Sequence, residues 1–259
     1  MATSSIRLRE TPPVLFALRR ADDALILGHR LSEWCGHAPM LEEDMALANI
    51  ALDLIGQART LYDHAAVLGG EGHDEDRLAY LRESGQYRNL LLVEQPNGDF
   101  AQTILRQFLY SAFADPYWRA MMRSADPTLA AIAAKSEKES AYHLRHSAEW
   151  VIRLGDGTEE SHARAAGALA LLWPYTGEMF EADAAERELI ATGAAVDPDT
   201  LRGTWLATVR EVLEEATLPL PDPSAWMQSG GRSGRHSEHL GHLLAEMQHL
   251  QRTYPGAVW

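Results

Sequence analysis

DPTLAAIAAKSEKESAYHLRHSAEWVIRL, residues Asp126 to Leu154, is the stretch from which the fold is read. Asp126 is placed to cap a helix whose first position is Pro127, and Gly155, followed by Asp156 and Gly157, closes it. Between those ends Ile132, Ser136, Glu139, His143, Ser147, Trp150 and Leu154 recur at spacings of three and four, so they fall on one helical stripe. A carboxylate and an imidazole pointing into a helix bundle make half of a metal site in di-iron and di-manganese carboxylate proteins, where the spacing is Glu-x-x-His. Here the spacing is one residue longer: Tyr142 holds the histidine's place and His143 follows it.

Working back from this helix, Phe100, Ile104, Gln107, Ser111 and Trp118 mark another long helix, with Pro116 as a candidate kink. Before it, Gly69 to Asp99 is far longer than an ordinary helix–helix connection; it has room for a short helix near Asp74 to Arg82 and for the apolar segment Asn89-Leu-Leu-Leu-Val-Glu-Gln-Pro-Asn-Gly. A helix from about Leu41 to Leu68 precedes that. It carries one apolar stripe of Leu41, Met45, Ala48, Leu52, Ile55 and Tyr62 and a second of Leu47, Ile50, Leu54, Leu61 and Ala65, which predicts a central position. Asn49, Asp53, Gln57, Thr60 and His64 form a third, polar stripe whose direction the pattern leaves open. The first helix runs from about Val14 to Trp34, with Leu15, Leu18, Asp22, Leu25 and His29 on one face, and Cys35-Gly-His-Ala-Pro39 turns the chain back.

Beyond Gly157 the pattern predicts a helix over 159–191, bent or interrupted at Pro174, another over 199–216, an extended linker at Leu218-Pro-Leu-Pro-Asp-Pro, and a last helix over 237–254. No strand pattern competes. Two antiparallel helix pairs joined by one long crossover is the ferritin-like arrangement. The expectation is an all-α chain built as one domain over 1–259: an N-terminal arm (1–13), a four-helix core bundle (14–154) and additional C-terminal helices (155–259).

The 259 residues suffice for a substantial core without staples. Lys and Arg number 23 against 37 Asp and Glu, a formal charge of -14, which argues against a surface that tracks nucleic acid. The single cysteine, Cys35, is expected to be a buried thiol of a reducing compartment. The N-terminal residues have no secretory pattern, and no window reaches ~18 apolar residues, so a cytoplasmic protein with no membrane partner is expected.

If the four long helices pair about turns near His37 and Ser124, the facing polar positions are Asp22 or Asp23, Asp53 with Gly56, Gln107 to Ser111, and Glu139 with Tyr142 or His143. A working di-metal site of this type needs four carboxylates and two histidines. Gly56 stands where the first histidine would be, and no acid lies between Asp99 and Asp115. The expectation is a vestigial, metal-free polar core in which Asp22, Asp53, Glu139 and His143 hydrogen-bond one another, since buried charge must be paired or neutralised; exposure of Asp53 on the surface is the alternative. His236, His239 and His242 could in principle collect a metal, but helical histidines without nearby acids are more often solvated. Gly230-Gly-Arg-Ser-Gly-Arg-His offers amides and two guanidiniums that suit an anion, or equally a docking loop. No Ser-His-Asp arrangement or dinucleotide fingerprint is present, so the chain is not expected to be an enzyme by itself.

Six stretches also resemble a known family, the C subunits of the multicomponent ring-1,2-phenylacetyl-CoA epoxidase. They are Leu31-Ser-Glu-Trp-Cys-Gly-His-Ala-Pro, Ala46-Leu-Ala-Asn-Ile-Ala-Leu-Asp-Leu-Ile-Gly-Gln-Ala-Arg, Asn89-Leu-Leu-Leu-Val-Glu-Gln-Pro-Asn-Gly-Asp-Phe, Lys138-Glu-Ser-Ala-Tyr-His-Leu-Arg, and Gly230-Gly-Arg-Ser-Gly-Arg-His-Ser-Glu-His-Leu-Gly with Leu244-Ala-Glu-Met-Gln. The resemblance implies a ferritin-like, non-catalytic structural subunit with no cofactor of its own. Its partner would be a homologous A subunit that holds the di-iron centre and epoxidises phenylacetyl-CoA with O2, supplied with electrons from NADPH by a reductase carrying FAD and an iron-sulfur centre; a small B subunit also belongs to the complex. It also implies substrate contacts at Glu83, Ser84, Gly85 and Gln86 and at Ala184, Ala185 and Glu186. The alternative class is an independent di-metal carboxylate oxygenase or oxidase.

Overall fold

The computed structural model describes residues 5–257. Among them there are α-helices, short 3-10 turns and loops, with no strand. The α-helices are α1 (Pro12–Ser32), α2 (Leu41–Gly69), α3 (Glu75–Tyr80), α4 (Leu91–Glu94), α5 (Phe100–Met121), α6 (Pro127–Gly155), α7 (Glu159–Leu172), α8 (Ala184–Ala191), α9 (Arg202–Glu215), α10 (Glu238–Met247) and α11 (His249–Thr253). None is long and apolar enough to cross a membrane. The chain folds as two compact units, the first comprising the described parts of Met1–His37, Asp44–Gln95 and Gly230–Trp259, the second Ala38–Glu43 and Pro96–Ser229.

In the first unit α1 opens at Pro12 and Pro13 after an extended Thr11, the position at which proline's missing N–H costs nothing. It closes with His29 and Arg30 in its last turn, where positive charge favours the helix terminus. Val14, Phe16, Leu18, Leu25, Ile26, Leu27 and Leu31 are buried along it. α2 runs back antiparallel. The two helices pack tightly at Gly28, where a Cβ would sit 3.1 Å from Ile55 Cγ1, 3.2 Å from the Ala51 carbonyl and 3.3 Å from Leu54 Cβ. The residues before α1 are tied to the unit by their backbone, with Ile6 N–H donating to the Leu81 carbonyl at 3.3 Å.

In the second unit α5 and α6 form the other antiparallel pair, with the Phe100 ring edge-on to Trp150 at 5.1 Å and Arg119 paired with Glu137 at 3.4 Å. Asp99 caps α5 by accepting from Gln102 N–H at 3.0 Å. Asp126 caps α6 by accepting from Thr128 and Leu129 N–H at 2.8 and 3.1 Å, so this helix begins as predicted. α7 and α9 each pack on both α5 and α6. Trp205 of α9 donates its indole N–H to the Leu109 carbonyl at 3.0 Å within an aromatic cluster that includes Phe113, Phe180 and Trp173.

Pro116 lies inside α5, which runs on through it. At Pro174, of the two expected outcomes, interruption is the one seen: α7 stops at Leu172, and two 3-10 turns, Trp173–Tyr175 and Gly177–Phe180, lead to α8. The proline ring and missing N–H explain the stop. Other expectations are corrected. The last helix breaks at Gln248 into α10 and α11. Cys35 is exposed, because it sits in the turn after α1 rather than on a packed face. α2 is not central on all sides: Leu47, Ile50, Leu54 and Leu61 are buried, but Leu41, Met45 and Leu52 are 72, 59 and 66 % exposed.

Candidate functional site

The first unit contains a buried charge network built from α1, the crossover between α2 and α5, and the glycine-rich loop before α10. Asp22 and Arg82 are both fully buried and form an ion pair in which both guanidinium terminal nitrogens donate to the carboxylate. Tyr62 O–H (2.5 Å) and Arg88 N–H (2.7 Å) donate to the same carboxylate. Arg82 also donates to the carbonyls of Leu78 (2.5 Å) and Gln86 (3.1 Å) and lies 4.2 Å over the Tyr87 ring. Burial works against the charged guanidinium, but Asp22 and the two phenols outweigh it and hold Arg82 protonated far above any working pH. Tyr62 is held neutral by burial and by Asp22 beside it.

One residue along α1, Asp23 accepts a two-point bond from Arg232, at 2.9 and 2.7 Å, together with Leu90 N–H at 2.8 Å. Burial raises its pKa, and Arg232 and Arg20 counteract part of that rise. The third buried acid, Glu94, accepts from Asn89 Nδ2 (2.9 Å), Ser237 N–H (2.6 Å) and His236 Nδ1 (2.7 Å). The other ring nitrogen of His236 lies 3.0 Å from the Tyr87 carbonyl, which can only accept. With acceptors on both sides, the site favours the protonated ring, which donates from both nitrogens. Burial lowers its pKa; the bond and charge of Glu94 overcome that and leave it raised. His29, without such a partner, is pushed by burial down to about 4.

These contacts fasten the 230–237 loop to the crossover. The backbone permits it because Gly231 passes so close to the Asn89 carbonyl that any side chain would collide, and Gly234 takes a left-handed turn at φ 78°. Arg232 is therefore consumed inside the fold, which removes it from the anion-binding reading of this loop. His236 precedes α10 and has both nitrogens spent, while His242 is exposed, so the three histidines do not form one ligand set.

The residues expected to make a polar core are distributed differently. Asp22, Asp53 and Gly56 belong to the first unit; Gln107, Glu139, Tyr142 and His143 belong to the second. Asp22 faces Tyr62 rather than Asp53, because the α1–α2 turn is centred several residues beyond His37, and its carboxylate is bonded to Arg82, Tyr62 and Arg88 instead of to Asp53, Glu139 and His143. Asp53 and Gly56 are half-buried. Gln107 is fully buried on α5 and donates to Ser111 Oγ at 2.9 Å. Glu139 is half-buried with Lys135 at 3.4 Å, His143 is buried, and Tyr142 is 38 % exposed against the His146 ring.

This donor set does not fit a di-metal centre. The α1 carboxylate is already neutralised by a buried guanidinium, which would repel a cation at contact distance. Position 56 has no side chain, and the α5 members of the expected set are an amide and a hydroxyl bonded to each other. Among the described residues no three His, Cys, Asp or Glu side chains form a group able to hold a metal ion.

Glu83 to Gln86 form a tight turn over Ser84–Gln86. The Gln86 side chain is occupied by Glu83 N–H, Ser5 Oγ and the Ile6 carbonyl, whereas Ser84 and Gly85 are exposed and line an open recess of about 510 Å³ with Gly234, Arg235, His236 and Ser237. Ala184, Ala185 and Glu186 form the first turn of α8, capped by Asp183 at 3.0 Å from Glu186 N–H, with Glu186 buried. The two segments belong to different units.

Arg82 and Glu94 are not singled out by the sequence, and His236, readable there as a possible metal ligand, is instead the partner of Glu94. Glu94 leaves a faint signal, an acid inside the apolar run Leu-Leu-Leu-Val-Glu; Arg82, at the edge of a short helix, leaves none.

The family model described as phenylacetic acid catabolic protein matches residues 2–259. The chain is 52 % identical over 244 residues to the C subunit of the 1,2-phenylacetyl-CoA epoxidase of Escherichia coli (strain K12), an alignment that covers 94 % of this chain and 98 % of that one.

Proposed function

The chain belongs to the phenylacetic acid catabolic protein family, with the all-α, ferritin-like fold class expected of it, and from that premise we propose that it is the C subunit of a 1,2-phenylacetyl-CoA epoxidase. In this reading it is a non-catalytic subunit that keeps the di-iron A subunit soluble and well shaped. It works in the cytoplasm alongside the small B subunit and the NADPH-dependent reductase that carries FAD and an iron-sulfur centre. The observation that carries the reading is the fate of Asp22. In a metal-loaded relative an α1 carboxylate would be a ligand; here it closes on Arg82 and serves to lock the crossover and the glycine-rich loop onto α1.

The chain's own residues then do mechanical work. Asp22, Asp23 and Glu94 each anchor backbone N–H groups of the crossover or the following loop, at Arg88, Leu90 and Ser237. That rigid edge presents the Ser84 and Gly85 turn, where Glu83 to Gln86 would meet the phenylacetyl-CoA substrate, with Ala184 to Glu186 as the second contact. Co-expression tests this: the A subunit should co-purify with this chain, be less soluble without it, and form epoxide from phenylacetyl-CoA when the B subunit and reductase are supplied. An A subunit that is equally soluble and equally active without this chain would overturn the reading.

A further inference from the structure

One face of α2 is left largely open, although Ile55 at its far end packs toward Gly28 of α1. Leu41, Met45, Ala48, Leu52 and Ile55 follow one another at spacings of four, three, four and three, so they lie in a single line about 21 Å long. Three of its four large side chains, Leu41, Met45 and Leu52, are 72, 59 and 66 % exposed, while Ile55 is half-buried. Isolated exposed leucines need no explanation, but an aligned apolar row of this length on a helix is the mark of an interaction surface. The opposite face of the same helix, Leu47, Ile50, Ala51 and Leu54, is buried, so α2 is held firmly in place while offering this line outward.

The charge around the row narrows what can cover it. From Leu41 to Ala58 the helix carries Glu42, Glu43, Asp44 and Asp53 and no Lys or Arg. Glu42 and Asp53 flank the row on one side and Asp44 on the other, and the first base, Arg59, is already paired with Glu75 at 3.2 Å. A second copy of the chain, itself at a formal charge of -14, would set carboxylates against carboxylates across the contact. We infer that the Leu41–Met45–Leu52 face of α2 is the docking surface for the A subunit, which meets it with a helix that is apolar along its centre and edged by Lys or Arg. The inference rests on the subunit reading above and adds the surface and the chemistry of the partner's face.

The test uses the full-length chain and the A subunit, with affinity measured by titration calorimetry at low and high salt and the mass of each species by light scattering. Leu52→Glu is the probe and Val67→Glu, on the same helix beyond the row and 79 % exposed, is the control. Both chains should keep the wild-type melting temperature, since neither side chain is packed. Leu52→Glu should weaken A-subunit binding by roughly 30-fold or more, the size of an interface hot spot, Val67→Glu should not, and wild-type binding should weaken with salt. Equal binding by Leu52→Glu and wild type would overturn the surface and leave the subunit reading standing. Failure of the wild-type chain to bind the A subunit would bring down both. A dimer of this chain alone that Leu52→Glu dissolves would assign the face to a second copy and overturn the inference.

Discussion

Replacing Arg82 with methionine removes one half of the buried pair on which the first unit is built. Methionine retains much of the side chain's length and takes away the charge, the two bonds to Asp22, those to the Leu78 and Gln86 carbonyls, and the stacking over Tyr87. Asp22 keeps Tyr62 O–H and Arg88 N–H but loses its counter-charge at a site where both partners are 0 % exposed. Breaking a buried pair from one side costs about 3–5 kcal/mol, because the remaining charge is stranded. For a chain of this size that corresponds to a fall of roughly 10 °C in Tm. The double variant Asp22→Asn, Arg82→Met removes the stranded charge, so it should lose clearly less than the sum of the two single variants, with a coupling of about 2 kcal/mol. Urea unfolding followed by far-UV circular dichroism, on the wild type, both single variants and the double variant, reads all four corners. A loss below about 1 kcal/mol for Arg82→Met, the size of an exposed pair, or strict additivity in the double variant, would refute the claim that this pair is what locks the crossover.

Two further perturbations probe neighbouring parts of the same unit. His236 has a raised pKa, so its contribution is fully present below the ordinary value of 6.5 and is lost as pH climbs through the folded value. Hydrogen exchange in the 230–247 segment should therefore rise at alkaline pH beyond the intrinsic rate, His236→Gln should flatten that excess, and an unchanged profile in the variant would show that the ring does not carry the effect. Gly28→Ala places a methyl 3.1–3.3 Å from Ile55, Ala51 and Leu54 and should cost about 1–3 kcal/mol as overpacking, read by urea midpoint; a neutral or stabilising result would mean that α1 and α2 separate freely.

Much of the helical layout is legible in the sequence because its signals are local. Asp74, Asp99 and Asp126 announce three helix starts by the same device, a carboxylate that accepts the first free N–H groups, and the three- and four-residue spacing along α6 needs no tertiary information. What the sequence hides depends on what lies opposite. Leu41, Met45 and Leu52 look like core residues in sequence, since periodicity registers an apolar stripe and not what covers it. Pro116 and Pro174 are the same residue type, yet one lies within a continuous helix and the other ends one. The partner expected for Asp22 is missed for a related reason: the place of Asp22 on α1 is legible, but Arg82 comes from the edge of a six-residue helix sixty residues away, and a shift in the α1–α2 pairing replaces Asp53 with Tyr62. The gaps in the ligand set need only the sequence, because Gly56 and the acid-free stretch of α5 are facts of composition.

The central claim is that this chain is the metal-free, non-catalytic partner in an epoxidase, and the most direct test is the iron content of the purified chain measured together with its activity alone. The chain should carry well under one iron after expression with iron in excess and show no O2-dependent oxidation of phenylacetyl-CoA in the absence of the A subunit. About two iron per chain, the loading of a di-iron carboxylate site, with ring oxidation by this chain alone, would contradict it.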